Sequence, residues 1–172
     1  GITQGIGASQ VEVMHEKIKR KITFIDTPGH ALFENMRRQG VVASDIVLLV
    51  VASDDGVMPQ TKESLQKIQE AKIPFIVVLT KIDLENSHID RVKQQLLAEH
   101  VKLEEYGGSV PIVQASGKTG TGIQELLDII LLVYDLSSIK KDAKGEFYGV
   151  IIESKVDRRR GVTLSLIVKN GT

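Results

Sequence analysis

No cysteine occurs anywhere in the 172 residues, so no disulfide staples this fold. A secretory signal pattern is also missing, and the two absences together fit a cytoplasmic protein. Nor is there an excess of one charge. Lys plus Arg and Asp plus Glu number 22 each, so no global field draws the chain to nucleic acid or to a membrane surface. No apolar run approaches the ~20 residues that a membrane-spanning helix needs. What remains is a chain that is 42% hydrophobic, enough for a sizeable core, and long enough for one domain and a fragment of another. Residue 1 is glycine, and the chain stops at Asn170-Gly171-Thr172, a hairpin-turn signal with no returning strand. It reads as an internal slice of a longer protein.

The organising stretch is Asp26-Thr27-Pro28-Gly29-His30. Residues 21–25 before it are mostly apolar and β-branched and read as a buried strand. After it, Leu32, Phe33 and Met36 follow a helical spacing. A carboxylate at a strand end, a Pro-Gly turn and a helix start form a place where nucleotide phosphates and their metal ion sit. Asp26 can hold Mg²⁺ directly or through water. Gly29 lets a backbone N–H approach a phosphate oxygen, and His30 stands at the mouth. The same residues taken alone also describe a turn and a helix cap.

The remaining chain supplies context. Residues 1–8 are glycine-rich and read as a mobile loop. Residues 9–15 alternate, and 17–21 form a charged turn into the Asp26 strand, so a β-hairpin is expected. Residues 46–51 form a continuous apolar strand, and Pro59 opens a helix to about residue 71. Residues 75–79 form the next buried strand, followed by a helix over about 88–100 with Ile89, Val92, Leu96 and Leu97 on one face. Residues 110–114 are a weaker strand, and 123–136 a strongly apolar helix. Strands alternating with helices across short loops predict an α/β fold with a mostly parallel sheet, in which ligands bind at the carboxyl ends of the strands. From residue 137 the pattern changes to two strands, 147–152 and 162–168, joined at 157–161. This reads as the opening of a β domain. Its Arg158–Arg160 cluster could touch RNA phosphate or form a solvated turn.

Two further segments fall at strand ends. Thr80-Lys81-Ile82-Asp83 carries base specificity: guanine presents a ring N–H and an adjacent amino group on one edge, and one carboxylate accepts both. Adenine lacks that pair, so Asp83 selects guanine, while the aliphatic stem of Lys81 lies against the base. Ser116-Gly117-Lys118 would supply backbone donors to the guanine oxygen; taken separately, Thr-Lys-x-Asp is a common tetrapeptide and Ser-Gly-Lys could be any polar turn.

With these motifs in this order, the chain resembles the GTP-binding domain of the translational GTPases and, within them, the bacterial translation initiation factor 2 family. Residues 1–8 match that family's first switch, 26–30 its second, and 80–83 with 116–118 its guanine-recognition motifs. Residues 139–172 are similar to the start of its second domain, a β-barrel. The resemblance therefore implies a P-loop-NTPase-like G domain over 1–136, without its first strand and phosphate loop, and the beginning of the barrel over 137–172. It implies GTP/GDP and Mg²⁺ as cofactors, GTP hydrolysis as the activity, and both ribosomal subunits as partners. Initiator tRNA would be engaged through domains absent from this chain, with no part for DNA or a membrane. By the same resemblance, Thr3 coordinates Mg²⁺ and contacts the γ-phosphate. Asp26 supports the metal, the Gly29 N–H binds the γ-phosphate, His30 orients the attacking water, and Ile2 is one wing of an apolar gate. Such chemistry needs positioning and charge stabilisation more than covalent help.

Thr80 stands where the family has Asn, losing a donor pair that braces the phosphate loop. Gly117 stands where Ala is usual, and Gly5 where His is frequent. No Gly-x-x-x-x-Gly-Lys-Ser or -Thr occurs in the chain, so its phosphate cradle and lysine are missing; in the family that motif lies shortly upstream of the position matching residue 1. Its loss should also delete a strand between the regions of 21–26 and 75–79, leaving backbone groups to be paired otherwise. The chain alone is accordingly expected to bind guanine nucleotide weakly or not at all. Two other readings stand beside the initiation GTPase: a non-catalytic ribosome- or protein-binding module derived from a G domain, and another translational GTPase such as an elongation factor.

Overall fold

The computed structural model describes residues 7–26, 44–137, 148–157 and 161–170. The readings placed on Ile2, Thr3, Gly5, Gly29, His30, the helix-like stretch 31–38 and Arg158–Arg160 lie outside those residues. The chain divides into two compact units, Ile46–Ser137 and the remainder.

In the second of these, β1 (Gly7–His15) and β2 (Ile18–Asp26) form an antiparallel hairpin in which His15 faces Ile18 and Gly7 faces Asp26. Glu16 and Lys17 both adopt left-handed backbone, φ 50° and 65°, the requirement of a tight two-residue turn whose twist matches the strands. The turn expected over 17–21 is therefore confined to two residues. Lys19 and Lys21 belong to β2 and pair across the ladder with Glu12. Gly7 and Ala8, expected in a loop, are in β1. No residue of β2 is fully buried, against the buried strand expected there, because Lys19, Lys21 and Thr23 alternate with the half-buried Ile22 and Phe24. Further along, β6 (Tyr148–Asp157) and β7 (Gly161–Asn170) form a second hairpin with an irregular register near Ile151.

Ile46–Ser137 is built on a parallel sheet of β3 (Val47–Ala52), β4 (Phe75–Thr80) and β5 (Ile112–Gln114), in that order. Between them run α1 (Pro59–Ala71) and α2 (Ile89–Ala98), with α3 (Ile123–Leu136) after β5. Pro59 occupies the first helical turn of α1, where its missing N–H costs nothing, and the Thr61 hydroxyl accepts the Met58 N–H at 3.2 Å. Ile76, Val77 and Leu79 of β4 have no exposed surface. Leu65 and Ile68 of α1, Val92 and Leu96 of α2, and Ile130 and Leu131 of α3 are buried with them, each helix contributing the apolar face its spacing predicts. Lys93, also buried, pairs with Glu105 at 2.5 Å and ties α2 to the 3₁₀ turn Glu104–Tyr106.

β4 has a hydrogen-bonded neighbour on each side, β3 and β5, so its pairing is met within Ile46–Ser137. Among the described residues β3 is paired on one side only, and its Val50 is 58% exposed.

The loop from β5 into α3 closes through Gly122, at φ +73°, where an added Cβ would stand 1.9 Å from the Gln114 carbonyl oxygen. Gly117, five residues earlier, has open space at that position. Gly122→Ala should therefore destabilise Ile46–Ser137 by about 2–3 kcal/mol through strain and collision, whereas Gly117→Ala should be neutral or slightly stabilising. Urea unfolding followed by amide exchange in β5 checks both, and equal midpoints for the two variants would contradict this account.

Candidate functional site

The parallel register brings the carboxyl ends of β3, β4 and β5 to one rim. Ala52 lies opposite Thr80, and Leu79 opposite Gln114. Two backbone bonds extend the stitching past the strands: Ser53 N–H to the Thr80 carbonyl at 2.9 Å, and Ala115 N–H to the Leu79 carbonyl at 2.8 Å. Three turns leave from that rim, and they carry every described base-recognition residue singled out in the sequence.

Asp83 reaches from the β4 turn to the β5 turn. Its carboxylate accepts the Ser116 hydroxyl at 2.6 Å. Ser116 has no exposed surface, and its Oγ also takes the N–H groups of Lys118 at 3.2 Å and Thr119 at 3.1 Å. The Ser116 N–H goes to the Thr121 carbonyl at 3.0 Å. Ser116 is thus a buried hub that fixes the carboxylate. Of the backbone donors expected from 116–118, those of Ser116 and Lys118 are engaged within the loop, and that of Gly117 has no acceptor among the described residues. Asp83 itself is exposed. The Ser116 hydroxyl, helped by the backbone N–H of Asp83 and the Lys118 charge and opposed by desolvation, holds the Asp83 pKa below the ordinary carboxylate value. Each carboxylate oxygen has two lone pairs, so capacity remains for the paired N–H groups of a guanine edge.

Lys81 turns the other way. Its backbone is left-handed at φ 58°, uncommon for a residue with a side chain, and its ammonium reaches Asp54 Oδ1 and Oδ2 at 3.1 and 3.0 Å and Asp55 at 3.5 Å. The hydrogen bond between Lys81 and Asp54 lowers the pKa of the acid and raises that of the lysine. Sequence reasoning read Asp54 and Asp55 only as a turn; the Asp-Asp-Gly ending opposite a Thr-Lys-x-Asp ending was the available signal. Thr80 is half-buried and contributes its carbonyl to the rim. Asp26 is described at the exposed end of β2, in the other unit. Among the described residues no group of three His, Cys, Asp or Glu side chains could hold a metal.

A group whose folded pKa is lowered contributes stability that is complete above its ordinary value and is lost as pH falls through the lowered one. Asp83 should therefore titrate below ~3.9 by carboxyl-carbon NMR, and Ser116→Ala should move the midpoint up towards that value. The same variant strands two backbone N–H groups and should cost about 1–2 kcal/mol of stability. An unmoved Asp83 midpoint would remove Ser116 from the orientation of the carboxylate.

Residues 1–136 match the elongation factor Tu GTP-binding domain family. All 172 residues align at 50% identity with a protein of Chloroflexus aggregans named translation initiation factor IF-2, of which they cover 22%. They align at 49% identity with the protein of the same name in Acinetobacter baumannii, covering 19%. The chain thus spans about a fifth of the length of these relatives. Among solved structures it is similar to elongation factor SelB of Methanococcus maripaludis, solved with the GTP analogue GppNHp, at TM-score 0.76 and 25% identity over 98% of this chain and 36% of that one. It is also similar to GDP-bound aIF5B of Aeropyrum pernix, at TM-score 0.70 and 30% identity over 99% of this chain and 37% of that one.

Proposed function

The chain belongs to the elongation factor Tu GTP-binding domain family, and on that premise we propose that it is the guanine-recognising section of a GTPase that acts in translation initiation. The observation that carries the proposal is the Ser116–Asp83 pair at 2.6 Å, an exposed, ionised carboxylate with a fixed direction at the strand-end rim. Its acceptor geometry suits the ring N–H and amino group of guanine. The Lys81 stem packs on the base, Thr80 holds the rim, and Gly117 offers its N–H to the guanine oxygen beside Ser116 and Lys118.

Towards the phosphates, Asp26 and Thr3 are the proposed Mg²⁺ ligands and the Gly29 N–H the proposed γ-phosphate donor. Mg²⁺, when bound, neutralises charge on the phosphate oxygens. His30 positions a water, and Ile2 shields it on one side. The longer protein would work in the cytoplasm on the ribosome and engage initiator tRNA through other domains. The first support for initiation over elongation is the level of identity to the initiation factors, 50%, against 25% to SelB.

Xanthine carries a carbonyl where guanine carries the amino group, and an amide can donate to it while a carboxylate cannot. In the full-length protein, Asp83→Asn should therefore weaken guanine nucleotide binding by about a hundredfold or more and improve binding of xanthosine nucleotides. Calorimetry showing unchanged guanine preference would refute the assignment. His30→Ala should reduce ribosome-stimulated GTP hydrolysis by about a hundredfold or more while leaving GTP affinity within about twofold. Unchanged turnover would take His30 out of the mechanism and favour a non-catalytic binding module.

A further inference from the structure

Beyond the base contacts themselves, the structure contains a device for setting where Lys81 lies. We propose that Asp54 is a positioning residue for guanine-nucleotide binding, acting by anchoring the Lys81 ammonium so that the lysine stem is held along the rim as a platform for the base. The proposal rests on the reading of that rim as the guanine site.

Lys81 and Asp83 are two residues apart on the same turn yet engage opposite neighbours. Asp83 meets Ser116 at the end of β5, while Lys81 meets Asp54 at the end of β3. The left-handed backbone at Lys81 produces that divergence. Such a conformation is kept only when the surroundings over-determine it, and here its side chain is gripped at both acidic oxygens of Asp54. The stem must then run across the rim from β4 towards β3, beside the position where a base edge would meet Asp83.

Asp54 is the fixed partner of the two. Its side chain is 15% exposed against 48% for Lys81. The turn that bears it is braced from α2 and from the segment before it: Arg91 donates to the Asp54 carbonyl at 3.1 Å, Gln95 accepts the Val57 N–H at 3.0 Å, and the Ser87 hydroxyl, ahead of α2, donates to that of Ser53 at 2.8 Å. Gly56 lies in the same turn at φ +82°, and an added Cβ would come 2.5 Å from Gln95 Oε1. The post is therefore set by the fold, and the lysine is the part that could otherwise wander. Asp55, 60% exposed at its side chain and 3.5 Å from the ammonium, adds a weaker second contact.

A half-exposed ion pair contributes little to global stability, so its loss should show in ligand binding and hardly at all in unfolding. In the full-length protein, Asp54→Asn should speed dissociation of a fluorescent GDP analogue by about three- to fivefold, with the melting temperature unchanged within about 2 °C. Asp54→Glu should recover most of the slow dissociation. In a Lys81→Met background, whose stem is apolar and has no ammonium, Asp54→Asn should have no further effect on the rate. Additive effects of the two substitutions, or an unchanged rate in Asp54→Asn, overturn the positioning role while leaving the guanine site intact. A loss of melting temperature in proportion to the rate change also overturns it, since the pair would then act through stability. Failure of the unsubstituted protein to bind guanine nucleotide at all overturns both the site and this role.

Discussion

The structure of Ile46–Ser137 depends on burying β4 with every backbone group paired. Its central side chains have essentially no exposed surface, and a strand in that position has no water to take its N–H and C=O groups. Parallel neighbours on both sides meet the need. In the register they adopt, Val51 lies opposite Leu79 and Val78 opposite Val113. Register then decides chemistry: Ala52 ends opposite Thr80 and Gln114 opposite Leu79, one residue short of them, and the polar residues that follow the strands meet at that rim, Ser53 and Ser116 buried and Asp83 exposed.

Within that rim, burial and exposure are divided between partners. Ser116 and Ser53 are buried and spend their hydrogen-bonding capacity on loop backbone and on side chains. Asp83 and Lys81 remain at the surface, where a ligand can replace their water. A carboxylate free to rotate would lose entropy on meeting a planar base edge, and the Ser116 bond takes that loss during folding instead. Lys81 follows the same logic through Asp54, although its partner is charged and the bond is more open to solvent.

Much of this was legible in the chain. α1 begins at Pro59 and ends at Ala71 as the proline and spacing require, and α3 covers the apolar stretch 123–136. The positions of Thr80, Asp83 and Ser116 at strand ends follow from hydrophobic runs that stop abruptly before them. What was not legible depends on backbone sign or on long-range partners. Glu16 and Lys17 have no glycine or asparagine to announce a tight turn, so the charged stretch 17–21 reads as a longer turn than the two residues that make it. The Lys81 conformation gives no local signal, and without it nothing connects Asp54 to a residue 27 positions away. Ser116 reads as a source of backbone donors because its burial and its hydroxyl bond to Asp83, 33 positions away, have no local signal. That β4 is paired by β3 on one side and β5 on the other could not be deduced either, because apolar runs alone do not give sheet order.

The exposed rim also sets what base recognition can and cannot supply. An exposed carboxylate meets the base edge only by giving up water, so its contribution to affinity is a difference between similar quantities. Association itself costs about 4–15 kcal/mol, and even a millimolar complex requires about 4 kcal/mol of net binding. On the proposed reading the Asp83–Ser116 arrangement would discriminate guanine from adenine, while tight binding would come from contacts to the phosphates. Nothing resembling the Gly-x-x-x-x-Gly-Lys-Ser or -Thr cradle is encoded in these residues. On the proposed reading, selectivity and a share of the affinity would rest on Asp83, and the remaining affinity on contacts to the phosphates.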